Sequence, residues 1–164
     1  MKIRTGFVSN SSSSSFIVIR SGDNHIPNLP ETLVVDGKFG ETEFGWQRDE
    51  HWDFGSKLIF AYLQTIYRNN FLDRYYKNRP LLQNDHEENW LDMLEKVVIQ
   101  NTNVKRIEWL IGEDERCDSP NWAYIDHQSN AAENQNIEMF DNEDNLKAFL
   151  FGGNSKICTD NDNH

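Results

Sequence analysis

A chain of 164 residues with 16 Lys and Arg against 27 Asp and Glu carries a net charge of −11, which argues against direct nucleic-acid binding, because phosphates demand clustered cations. The length suits one domain with a core of its own and excludes a multidomain machine. Mean hydropathy is low at −0.75, yet ten Phe, five Tyr and five Trp exceed what a disordered acidic chain holds, so residues 1–164 are expected to fold as a single unit.

In chain order, Ile3 to Val8 reads as an extended segment, and Phe16-Ile17-Val18-Ile19-Arg20 as a short buried strand rich in β-branched residues. Between them lies the hydroxyl-rich loop Ser9-Asn10-Ser11-Ser12-Ser13-Ser14-Ser15. From Ser21 to Trp46 proline and glycine punctuate the chain around a strand at Leu33-Val34-Val35. A helix is predicted from about Ser56 to Asn70, where Ile59, Tyr62, Leu63, Ile66 and Tyr67 fall on one face, with Asp53 or Ser56 as its cap. A second helix is expected after Asp85, its start marked by Asp85-His86-Glu87-Glu88 and its stripe by Trp90 or Leu91, Leu94, Val97 and Val98.

Val104 to Ile111 alternates as a half-buried strand does, and Trp122 to Ile125 reads as another strand. Ser129 to Asn136 is polar enough to predict a mobile loop. The acids Asp141 to Asp144, then Leu146 to Phe151 and Gly152-Gly153, mark a short helix. A last strand at Lys156-Ile157-Cys158 leads into a tail expected to be frayed. The sum is an α+β class: a single compact domain in which a central, mostly antiparallel sheet is joined by two longer helices and one short C-terminal helix.

Cys117 and Cys158 are the only cysteines and lack the spacing of a zinc or redox site. No stretch approaches the roughly 20 apolar residues of a membrane span. A serine run stands where a signal peptide would place its apolar region, so the mature chain is expected to begin at Met1 and stay inside the cell.

Three polar segments are candidates for chemistry. The serine loop offers Ser9, Asn10, Ser11, Ser12 and Ser13 as a backbone and hydroxyl nest for an anion, against a plain linker or a target for phosphorylation. It lacks the glycines and lysine of a P-loop. In Asp126-His127-Gln128-Ser129, strand alternation sets Asp126 with Gln128 on one face and His127 with Ser129 on the other. Asp126 and His127 are then not expected to pair. His127 and Ser129 would serve as base and nucleophile, given a carboxylate from elsewhere, for which Asp160 or Asp162 are the natural candidates. In the tail, Asp160, Asp162 and His164 alternate, and Asp160 with Asp162 are candidate ligands for a divalent cation. Asp49-Glu50-His51-Trp52-Asp53 reads as a helix cap ahead of a metal site.

The opening Met1-Lys2-Ile3-Arg4-Thr5-Gly6-Phe7-Val8-Ser9-Asn10, followed by the serine run and Phe16, resembles the N-terminal signature of a family encoded by tailed bacteriophages and some bacteria, a family without an established activity. Tyr124 to Ser129, and Phe149 to Phe151 through Asn161-Asp162-Asn163, resemble segments of the same family. The resemblance implies a phage-like origin and a shared polar site, with the three segments meeting at one end of a sheet. Two functions are carried forward. The first is a phage-encoded acidic protein in the host bacterial cytoplasm, or associated with the virion, that acts by binding a host or phage protein. The second is a small enzyme that binds a phosphorylated or nucleotide-like ligand through the serine loop, His127 and the tail.

Overall fold

Two β-branched runs at opposite ends of the chain, around Ile17 and Ile157, pair with each other and set the frame of the molecule. The computed structural model describes residues 13–20, 22–45, 47–76, 89–112 and 121–161. Strand β1 (Ser13–Val18) lies antiparallel to β7 (Lys156–Asn161), and the other edge of β7 takes β4 (Asp49–His51), giving the order β1-β7-β4. The register puts Ile17 opposite Ile157, Ser15 opposite Thr159 and Ser14 opposite Asp160. Side chains alternate across a strand, so Ile17 and Ile157 face the core while Phe16, on the other face, stays about half exposed.

Two small parallel pairs accompany this sheet: β2 (Thr32–Val35) with β5 (Arg106–Trp109), and β3 (Glu43–Phe44) with β6 (Tyr124–Ile125). Parallel partners are joined by long crossovers rather than turns, so no hairpin signal announces them. The fold is α+β with a mostly antiparallel sheet, as the sequence implies.

Among the described residues three α-helices close the core. Helix α1 (Phe54–Tyr76) buries Leu58, Ile59, Phe60, Ala61 and Leu63. It runs beyond the expected Ser56 to Asn70 at both ends and is capped at Asp53, whose Oδ1 accepts from Ser56 N at 2.8 Å. Helices α2 (Trp90–Asn101) and α3 (Glu143–Phe151) are capped by asparagines, Asn89 and Asn142, and not by the acidic runs nearby. An amide oxygen accepts the free N–H groups of a first turn as well as a carboxylate does. The run Asp85 to Glu88, like Ile3 to Val8, lies outside the described residues.

Phe44, Phe60 and Phe149 pack through the centre with ring centroids 5.0 and 6.4 Å apart. Fully burying a side chain of this size contributes about 1.5–3 kcal/mol. Tyr62 lies flat on Trp109 at 4.0 Å. The start of α1 is fixed by close backbone approach, because a Cβ on Gly40 would sit 2.3 Å from Ser56 N and one on Gly55 would sit 2.1 Å from Phe39 O. Only glycine fits at such contacts. No helix among the described residues is long and apolar enough to cross a membrane.

Candidate functional site

β1 is an edge strand, and an edge exposes unpaired N–H and C=O groups unless something covers them. Here segment 126–136 covers it with side chains. Ser15 N donates to Ser129 Oγ at 2.6 Å, and Ile17 N donates to Asn136 Oδ1 at 3.2 Å. Asn136 Nδ2 in turn donates to Ser15 O at 2.9 Å and Ser129 O at 2.8 Å. One amide thus stands in for a neighbouring strand. From α1, Gln64 Nε2 donates to Ser129 O at 3.1 Å while its Oε1 accepts from Ala131 N at 2.7 Å. Asn136 holds φ 54°, left-handed backbone that asparagine tolerates better than other non-glycine residues. Gln64, Ser129, Asn130 and Asn136 are all buried.

The expectation of a mobile loop over Ser129 to Asn136 is therefore corrected. The residues are polar, but their partners are backbone groups of β1 and the amide of Gln64, so they form a buried clamp. A buried polar group that is satisfied costs little, and one that is not costs about 1–3 kcal/mol. The clamp also draws in the serine run. Ser9, Asn10, Ser11 and Ser12 lie outside the described residues, whereas Ser13, Ser14 and Ser15 are strand, continuing β1 three residues before the expected start.

A second correction concerns Asp126 and His127. Strand β6 ends at Ile125, and Asp126 to Ser129 form a turn closed by Ser129 N donating to Asp126 O at 2.9 Å. Strand alternation no longer applies, and His127 Nδ1 meets Asp126 Oδ1 at 3.1 Å. The buried Asp126 also accepts from Gln128 N at 3.3 Å. His127 stands in solvent with 72% of its side chain exposed, whereas Ser129 is buried against Ser15.

The tail is corrected as well. β7 continues to Asn161, with Thr159 buried and accepting at Oγ1 from Asp49 N at 3.1 Å. Asp160 lies across from Ser14, and its Oδ1 is buried without a hydrogen-bond partner among the described residues. Asp162 lies outside the described residues. The described parts of the three polar segments do meet at one end of the antiparallel sheet, through Ser15 with Ser129 and Ser14 with Asp160. No group of three or more metal-capable side chains forms among the described residues. Asp49 to Asp53 divides between strand β4 and the cap of α1, with Glu50 paired to Lys156 at 2.5 Å.

A separate cleft of about 320 Å³ opens between the start of α1, the end of α3 and residues 25–27. Phe54, Leu150 and Phe151 give it apolar walls, and Ile26 and Trp52 stand exposed at its rim. Lys57 lines it while being only 2% exposed. Its Nζ donates to Gly152 O at 3.2 Å and Ser155 O at 3.4 Å, beyond the C-terminal end of α3. That end is negative, which suits a cation. Burial nevertheless pulls the ammonium down from 10.5 to about 8, the Asp53 carboxylate opposing part of the fall.

No family model, no curated protein and no solved structure matches the chain. In the clamp the Ser129 hydroxyl and the amides of Gln64 and Asn136 are bonded to backbone groups, while the buried Ser15 Oγ has no partner among the described residues, and the cleft has an amine in apolar surroundings. Lys57 is absent from the candidates that the sequence suggests, although a signal exists: it shares a helical face with Phe60, Ala61 and Gln64, all buried. Cys158 is buried too, and burial pushes its thiol up, Lys156 lowering and Glu50 raising it. A thiol held protonated is a poor nucleophile.

Proposed function

We propose that the chain is an acidic docking protein, phage-encoded and working in the host bacterial cytoplasm or on the virion, that binds a basic surface of a host or phage protein. The observation that carries this reading is the stretch 22–53, which holds eight Asp and Glu against two Lys and Arg. All eight acids are exposed or half-buried, and Ile26, Val34 and Trp52 are exposed among them. Clustered charge of one sign speeds encounter with a partner of the other sign, and exposed aromatic and aliphatic side chains supply the desolvated contacts that hold it.

Much of this charge also shapes the segment. Asp36 Oδ1 accepts from Lys38 N, Glu41 Oε1 from Thr42 N and Glu43 N, and Asp49 Oδ1 from Glu50 N. The carboxylates of Asp23 and Glu43 make no such contact among the described residues and are the acids to reverse. In retrieval from bacterial lysate by a tagged copy, the same partner should be held by the wild-type chain and lost both in about 0.5 M salt and with Asp23→Lys/Glu43→Lys/Trp52→Ala. Equal retrieval by the variant and the wild type rejects the reading.

The reading as a small enzyme keeps one supporting observation, the meeting of Ser14, Ser15, Ser129 and Asp160 with an unpartnered carboxylate oxygen. A rise in melting temperature with phosphate or a nucleotide plus a divalent cation, abolished by Asp160→Asn, would establish it in place of docking.

A further inference from the structure

The hydrogen bonds around Lys57 distinguish the two forms of its amine. An ammonium has three N–H donors, whereas a neutral amine has two donors and a lone pair. Around Nζ the protein supplies two acceptors, Gly152 O and Ser155 O, and no carboxylate within ion-pair distance among the described residues. The two carbonyls use both N–H groups of the neutral amine and leave its lone pair unclaimed, while they leave one donor of the ammonium unsatisfied. Lys57 lines a cleft whose volume reaches the range of small-molecule sites, about 300–1,000 Å³, and Gly152, whose carbonyl its Nζ bonds, lines the same cleft. Its walls are Phe54, Leu150 and Phe151, and Asp53 lies one helical turn before Lys57 on the same face of α1.

We propose that this cleft captures a small uncharged carbonyl compound with an apolar body, an aldehyde in the first instance, as an imine on Lys57 Nζ. The walls take the apolar body, and the lone pair attacks the carbonyl carbon. As the C–N bond forms, the carbonyl π pair moves to oxygen, and a proton passes from Nζ to that oxygen to give the carbinolamine. The C–O bond then breaks and the oxygen leaves as water, taking the second proton of the amine, so that aldehyde and amine yield imine and water with no oxidant or reductant. When the imine nitrogen takes up a solvent proton, its single N–H can donate to Gly152 O, and its charge faces Asp53 and the negative end of α3. A lysine desolvated in an apolar pocket is a recurrent route to such nucleophiles. The same carboxylate makes an anionic carbonyl compound the poorer ligand.

The test uses the full chain, folded, with benzaldehyde and cyanoborohydride, followed by peptide mapping of every lysine. At pH 7.4 Lys57 should be alkylated roughly tenfold or more faster than the exposed Lys38 and Lys105, because burial lowers its own pKa to about 8. Its rate should climb to a plateau with a midpoint near pH 8. Glyoxylate, which carries a carboxylate, should lose that selectivity. Lys57→Met must abolish the fast phase while circular dichroism reports an unchanged fold. If that substitution prevents folding, the midpoint and the aldehyde preference of the wild-type chain decide. Labelling of Lys57 no faster than that of Lys38, or only after denaturation, overturns the proposal.

Discussion

The clamp over β1 and the cleft beside α3 both bury polar side chains, and they do so in opposite ways. In the clamp, Ser129, Asn136 and Gln64 hydrogen-bond backbone groups that would otherwise stand unpaired beside them. In the cleft, two carbonyls meet an amine that has one more valence than they can use. A closed polar network rigidifies a fold, whereas a buried polar group with capacity left over is where chemistry becomes possible. The difference shifts attention from the conspicuous serine, histidine and aspartate segments to a lysine hidden in a helix.

Asn136→Ala should produce the largest effect. It removes three hydrogen bonds, strands Ile17 N and Ser15 O on the edge of β1, and puts alanine into left-handed backbone. A loss of about 3 kcal/mol is expected, read as a fall in melting temperature of roughly 10 °C. Gln64→Leu should cost less by itself, about 1–2 kcal/mol. The double variant should lose less than the sum, since both amides serve Ser129 O. Strict additivity would show that the clamp is two separate contacts.

Lys57 should be recognised by pH. Its pKa is lowered on folding, from 10.5 to about 8, so between those values the unfolded chain binds more protons than the folded one. The penalty for burying the cation is fully present below about pH 8 and is lifted as pH rises towards 10.5, so stability rises across that window. The gain is bounded at roughly 3 kcal/mol. In Lys57→Met this rise should be absent, so the stability difference between wild type and variant should change between denaturation curves measured at pH 7.5 and pH 10. An unchanged difference would return Lys57 to the role of an ordinary helix-end cation.

How much of this is legible in the sequence follows from where each partner lies. The helices and most strands are visible, because the spacing of Ile59, Tyr62, Leu63 and Ile66, or of Ile107, Trp109 and Ile111, is a local signal. The clamp is invisible for the complementary reason: Ser129 and Asn136 bond residues 114 to 121 positions away, so composition alone makes a loop of them. The serine run is polar in its side chains but pairs through its backbone, which lets β7 draw Ser13 to Ser15 into β1. Asp126 and His127 escape the strand rule because β6 ends one residue before them. Lys57 is easily passed over, because a lysine in a helix is ordinarily a solvated residue.

At the cleft rim, Trp52→Ala should cost less than about 1 kcal/mol, since the ring is 45% exposed and its chief contact is the Lys156 ammonium 4.5 Å from its centre. Retention of a docking partner should nevertheless fall, measured by titration calorimetry once that partner is purified. Equal affinity would detach the exposed aromatic from the docking surface.

The smallest effect is expected where the sequence draws most attention. His127 is largely solvent-exposed, and among the described residues its imidazole pairs with Asp126, whose buried carboxylate already accepts from Gln128 N. His127→Ala should shift stability by no more than about 0.5 kcal/mol in denaturant titrations, the range of an exposed substitution away from any network. Asp126→Ala keeps the backbone bond that closes the turn but removes the buried carboxylate that accepts from Gln128 N, and should cost about 1–2 kcal/mol. If His127→Ala instead costs as much as Asp126→Ala, the imidazole is part of the clamp and the turn depends on the pair. If it costs nothing but removes a phosphate- or nucleotide-dependent rise in melting temperature, the exposed histidine serves a ligand, and the clamp becomes the scaffold that presents it.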